Sequence, residues 1–163
     1  MNFDLSDCIG MDKLKLPVST TLPIFNGLSN TSTMYVHRHS LYDFELIEAG
    51  KILLFTWSDA TKNMTVEDYR EALHNYAGFG SEYKVPAMLV DVRNFKYQMT
   101  PELGIWRDKE ISPRYAKFGL RKFGYIVPLG VVSKIKDTMT KVERSFEEDY
   151  FETEKEAIDW LTK

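Results

Sequence analysis

The chain has 163 residues, 44% hydrophobic and 28% charged, with a formal net charge of -3. That length suits one domain and that apolar fraction can fill a core, while the mild acidity argues against nucleic acid or an anionic membrane as partner. Cys8 is the lone cysteine, so no internal disulfide can form; with no membrane-length apolar run and no basic-then-apolar leader, a cytoplasmic protein is expected.

Residues 1–33 are rich in Ser, Thr and Asn and are broken by Pro17, Pro23 and Gly27. Leu14, Leu16, Val18, Leu22, Ile24 and Phe25 are too apolar for a fully solvated tail. The segment reads as an irregular arm packed in part on the domain or a neighbouring chain, with disorder as the alternative. The domain proper is 34–163. Met34 to His39 alternates weakly, as an edge strand does. Tyr42 to Glu48 and Lys51 to Trp57 read as hairpin strands joined at Ala49-Gly50. Asp59 to Met64 reads as loop. Thr65 to Asp68 resembles a capping box. Val66, Tyr69, Leu73, Tyr76 and Ala77 then recur at helical spacing, with Gly78 as the expected stop.

Ala87 to Val92 is a short apolar run, as in a strand buried on both faces. Asp91, Arg93 and Asn94 follow where it leaves the core. Thr100-Pro101-Glu102 is a helix start: hydroxyl cap, proline at the first position, acid in the first turn. Open α/β sheets usually place their sites between such a strand and such a helix. The helix carries Leu103 and Trp106 and is expected to end before Pro113. Lys122 to Val127 is a strand. Ile135, Met139, Val142 and Phe146 make a helical stripe. Tyr150 to Glu152 is a very short strand, and Thr153 to Glu156 caps a last helix carrying Ala157, Ile158, Trp160 and Leu161. The order predicts an α/β fold with right-handed crossovers: a mixed, mostly parallel sheet of about five strands with four helices.

Several ordered motifs carry a family likeness. They are Leu53-Leu54-Phe55-Thr56-Trp57, Met64 to Arg70, Leu89 to Phe95, Met99 to Leu103 with Trp106, and Phe151 to Leu161. Over about residues 41–163 the chain resembles the STAS fold of bacterial anti-sigma-factor antagonists. It is more similar still to the uncharacterised SpoIIAA-like proteins of Bacteroidetes-type bacteria. The resemblance implies a signalling module, and the absence of a catalytic constellation points to one without catalysis. The antagonists carry a phosphorylated serine in Asp-Ser-Ser-Gly after the central strand. Thr100 falls on that position, which makes it the candidate phosphoacceptor. Here the sequence is Met99-Thr100-Pro101-Glu102, without the preceding acid or the following glycine.

The residues themselves offer a second reading of each candidate. A cap alone accounts for Thr100. Asp91 and Arg93, two apart on one face, could hold a polar ligand or pair with each other. His37 and His39 share a face, but no third ligand is evident, so they read as exposed edge-strand residues and no metal is expected. No cofactor loop or nucleophile motif occurs. Phe95, Tyr97, Trp106, Tyr115, Phe118, Phe123 and Tyr125 gather after the central strand as core, pocket lining or partner surface. Lys96-Tyr97-Gln98 is the part least expected to be buried. The leading expectation is a protein-interaction module whose unknown partner meets residues 95–106 through Asp91, Arg93, Phe95, Tyr97, Thr100 and Trp106. The alternative is a domain binding a small apolar molecule or lipid in an aromatic-lined pocket, a role the resemblance extends to CRAL-TRIO-type carriers. Self-association as a homodimer, through a sheet edge or the N-terminal arm, is a further expectation.

Overall fold

The computed structural model describes residues 33–49, 51–138 and 143–163. Residues 1–32, nearly all of the expected arm, lie outside them. One sheet contains β1 (Met34–Arg38), β2 (Tyr42–Ile47), β3 (Ile52–Trp57), β4 (Ala87–Asp91), β5 (Lys122–Ile126) and β6 (Glu147–Phe151), neighbours in that order. The first two pairings are antiparallel and the last three parallel. The α/β class and the mixed sheet are as expected, but six strands replace about five. The weakly alternating Met34–Arg38 is a complete edge strand with a bulge between Tyr35 and His37.

Sequential parallel strands that are also neighbours need right-handed crossovers, and these put successive helices on one face. Leu53, Phe55, Met88, Val90 and Phe123 point to that face. They meet Leu73 and Tyr76 of α1 (Val66–Tyr83), Leu103 of α2 (Pro101–Trp106) and Tyr115 of α3 (Ser112–Lys117). The alternate residues Ile52, Leu54, Ala87, Leu89 and Ile126 face the other way. They meet Ala157 and Leu161 of the last helix, α5 (Glu154–Leu161). All five β4 residues are buried. Its Met88, Leu89 and Val90 each gain roughly 1.5–3 kcal/mol from burial.

Local signals set most boundaries. In the Thr65 capping box the Asp68 amide donates to the Thr65 hydroxyl at 3.1 Å, and the Thr65 amide donates to the Asp68 carboxylate at 2.8 Å. Thr153 accepts from the Glu156 amide at 3.2 Å and starts α5. In the hairpin turn Glu48 and Ala49 are both left-handed, with φ of 52° and 56°; Gly50 lies outside the described residues.

Five expectations change. α1 does not stop at Gly78 but runs on to Tyr83 and ends at left-handed Lys84. Gly80 serves packing instead: a Cβ there would lie 2.9 Å from the Phe118 ring. Pro113 does not end its helix either. α2 enters a π-helical turn, Arg107–Ile111, and then α3, which contains Pro113. The Ser112 amide reaches back to the Arg107 carbonyl. A turn widened in this way has room for a ring that would otherwise clash with the carbonyl four residues back. Asp59–Asn63 is a 3-10 turn rather than an irregular loop. The stripe to Phe146 is not one helix: α4 spans Val132–Thr138, Met139 and Val142 lie outside the described residues, and Phe146 precedes a strand. That strand is Glu147–Phe151 rather than Tyr150–Glu152. Its Glu-Glu-Asp start has little strand propensity and is held by pairing with β5.

Candidate functional site

The site is built where β4 leaves the sheet. Asp91 shares the register of Ala87 and Leu89, on the α5 side. Its carboxylate accepts from Arg93 Nε at 3.0 Å, from Arg93 Nη2 at 2.7 Å and from the Arg93 amide at 3.0 Å. This bidentate pair closes the strand end on itself, and the bond to Asp91 holds the Arg93 guanidinium above its usual pKa. Among the charges acting on Arg93 is Glu154 at the start of α5.

The chain then turns toward the helical face. The Phe95 amide donates to the Val92 carbonyl at 3.1 Å. The Lys96 amide donates to the Thr61 hydroxyl at 2.9 Å, and that hydroxyl donates to the Ser58 carbonyl at 2.8 Å. Thr61 is completely buried. It therefore clips the loop to the 3-10 turn after β3. With the backbone so fixed, Phe95 packs 5.0 Å from Trp57, and Tyr97 stacks on Tyr69 at 6.4 Å and 14°. Tyr97 is half-buried, against expectation, because its ring lies on α1 rather than in solvent. Thr100 caps α2, accepting from the Leu103 amide at 3.4 Å. Trp106 contacts Tyr69 at 6.4 Å. It also lies under the Arg70 guanidinium at 5.3 Å and edge-on to His74 at 5.5 Å.

Phe95, Tyr97 and Trp106 thus come together around Tyr69, with Thr100 capping the helix between them. Asp91 and Arg93 do not join them, being turned to the opposite face. Tyr115 and Phe123 are core, and Phe118 and Tyr125 are partly buried against it. Two surface cavities, about 510 and 230 Å³, lie elsewhere: the first at the amino ends of the parallel strands and the second beside Arg144. Met99 and Ile105 flank the ring cluster with 39% and 67% of their surface exposed.

The π-helical turn adds a polar cluster beside the rings. Arg107 donates to Asp108 through Nε and Nη2, both at 3.2 Å. Arg144 reaches the same carboxylate at 3.3 Å, Ser112 Oγ at 3.0 Å and Glu148 at 3.5 Å. The Tyr150 hydroxyl donates to Glu148 at 3.0 Å, and Tyr125 stacks on Tyr150 at 5.0 Å. Burial alone would lower the Arg107 pKa, but Tyr125, Tyr69 and Asp108 around it raise it. Burial pushes the hydroxyls of Tyr69, Tyr115, Tyr125 and Tyr150 upward, so all four stay protonated at neutral pH. The cluster therefore offers hydrogen-bond donors, while its carboxylates are occupied by its own cations.

Thr61, Tyr69, Arg70, His74, Arg107 and Arg144 were not singled out from sequence. Arg70 and His74, four apart on one helix, were the only local signal. The others act over long separations, such as 35 residues from Thr61 to Lys96. At the edge, His37 lies among the rings of Tyr42, Phe44 and Phe79 with Nε2 shielded and unpaired; it is half-buried rather than exposed. Among the described residues no group of three or more His, Cys, Asp or Glu could hold a metal ion, and no helix is long and apolar enough to cross a membrane. No family model, no curated protein and no solved structure matches the chain.

Proposed function

We propose that the chain is a non-catalytic interaction module of STAS-like type whose protein partner docks on residues 95–106. The carrying observation is exposed Met99 and Ile105 beside half-buried Tyr97 and Trp106, on a loop pinned by a buried hydroxyl and on the helix that follows it. A rigid aromatic patch with an apolar rim costs little entropy to dock, and Trp and Tyr are enriched among binding hot spots. The mutual packing of the rings favours a surface over the aromatic-lined pocket for an apolar ligand.

The test is site-specific photocrosslinking in the native host. A benzoylphenylalanine at Ile105 should give one discrete protein adduct that the same probe at exposed Lys117 does not. Trp106→Ala should reduce the adduct, since truncating a hot spot costs about 2 kcal/mol, roughly thirtyfold in affinity. Identical adduct patterns from the two positions would refute the docking role.

A further inference from the structure

The ring cluster continues into a basic ridge between α1 and the α2–α3 rod. Arg70 lies over the Trp106 indole at 5.3 Å. His74 meets the same indole edge-on at 5.5 Å, and Arg114 Nη1 lies 2.9 Å from His74 Nδ1. A guanidinium can only donate, so Nδ1 is the acceptor and the neutral ring carries its proton on Nε2. Burial and then Arg114 lower the His74 pKa, consistent with that neutral form, and Glu110 opposes them. The Arg93, Arg107 and Arg144 guanidiniums each pair with a carboxylate. Arg70 and Arg114 have no carboxylate within ion-pair reach among the described residues. A chain of net charge -3 thus carries two guanidiniums without a carboxylate partner, one over a half-buried indole and one on the histidine that meets the same indole.

Arginine and tryptophan together are the composition of an interface centre, and unpaired cations select the sign of the partner. We infer, resting on the docking role proposed above, that the partner is an acidic polypeptide whose carboxylates pair with Arg70 over Trp106 and with Arg114 beside His74. Its apolar side chains then meet Ile105 and Met99. Arg114 exchanges its bond to neutral His74 for an ion pair with a carboxylate, which can take two parallel bonds from the guanidinium, a stronger contact.

The experiment pans a random twelve-residue phage-displayed peptide library against the full chain at low salt. Binders are then tested on the Arg70→Gln/Arg114→Gln double variant, on Arg70→Lys/Arg114→Lys, and on Ile105→Ser. The expected result is a consensus rich in Asp and Glu. Its affinity should fall at least about tenfold in the Gln variant, recover in part in the Lys variant, and weaken with added salt. A thermal melt of each variant separates lost binding from lost folding. A neutral consensus that loses affinity with Ile105→Ser but not with the Gln variant would overturn the acidic partner and leave the docking role standing. No enrichment above an unrelated control protein would overturn both.

Discussion

His37 illustrates what a single side chain can owe to its neighbours. It occupies an edge strand, where a histidine is ordinarily solvated, yet the β1 bulge turns its ring among Tyr42, Phe44 and Phe79. Burial is the largest influence on its titration and disfavours the charged form; His39 adds to that, while Asp43 and Glu71 oppose it. The folded pKa therefore lies below the ordinary 6.5. As pH falls, the unfolded chain takes up the proton first. Stability is fully present above about 6.5 and is lost as pH falls from there toward the folded pKa. His74 acts with the same sign, so the wild type should lose stability between about pH 7 and 5, and His37→Phe should lose less of it. Urea unfolding at both pH values measures this. Equal pH dependence in the two proteins would show that His37 is not shielded in solution.

At the scale of elements, the loop after β4 is held by a contact from another part of the chain. Strand end, polar turn and helix cap can all be read locally from Asp91, Asn94 and Thr100-Pro101. The order of the loop between them comes from Thr61, whose hydroxyl joins the Lys96 amide to the Ser58 carbonyl. Thr61→Val keeps the shape and removes both bonds. It should cost about 1–3 kcal/mol, the penalty for leaving buried polar groups unpaired. Amide exchange at Lys96 should accelerate while exchange within the Thr65-capped first turn of α1 stays near wild type. Uniform acceleration would mean that the clip supports the whole fold rather than the loop. The π-helical turn is another element-scale effect. Sequence rules stop a helix before Pro113, but here one widened turn lets the rod continue and places Arg107 beside Tyr69.

Across the whole molecule, one hydroxyl links three elements. Tyr76 of α1 is fully buried and its oxygen lies 2.8 Å from the Leu53 carbonyl of β3 and 3.0 Å from the Leu89 carbonyl of β4. The crossover helix is thereby fixed to both strands that it connects. A single proton is shared between two acceptors in a dry environment, where each is expensive to leave bare. Tyr76→Phe should lower stability by about 1–3 kcal/mol. The urea midpoint should shift with the slope unchanged, since the surface buried is nearly the same. A midpoint within error of wild type would mean that the sheet satisfies both carbonyls without the hydroxyl.

By itself the sequence determined the features that depend on near neighbours: the three threonine caps, the buried central strand, the crossover order and the α/β class. Those signals span a few residues and act through local sterics, capping and hydrophobic period. Tertiary structure decided whatever a distant contact could override. It carried α1 past Gly78, where the helix goes on burying Phe79 and packs Gly80 against Phe118 and Met88. It made a strand of Glu147–Phe151, because β5 supplies the pairing. The pairing of Asp91 with Arg93, two apart on one face, belongs by contrast to the readings that near neighbours alone allow. The candidate stretch was legible as a place; its ring cluster, its clip and its unpaired arginines became visible only once α1 and the α2–α3 rod were packed side by side.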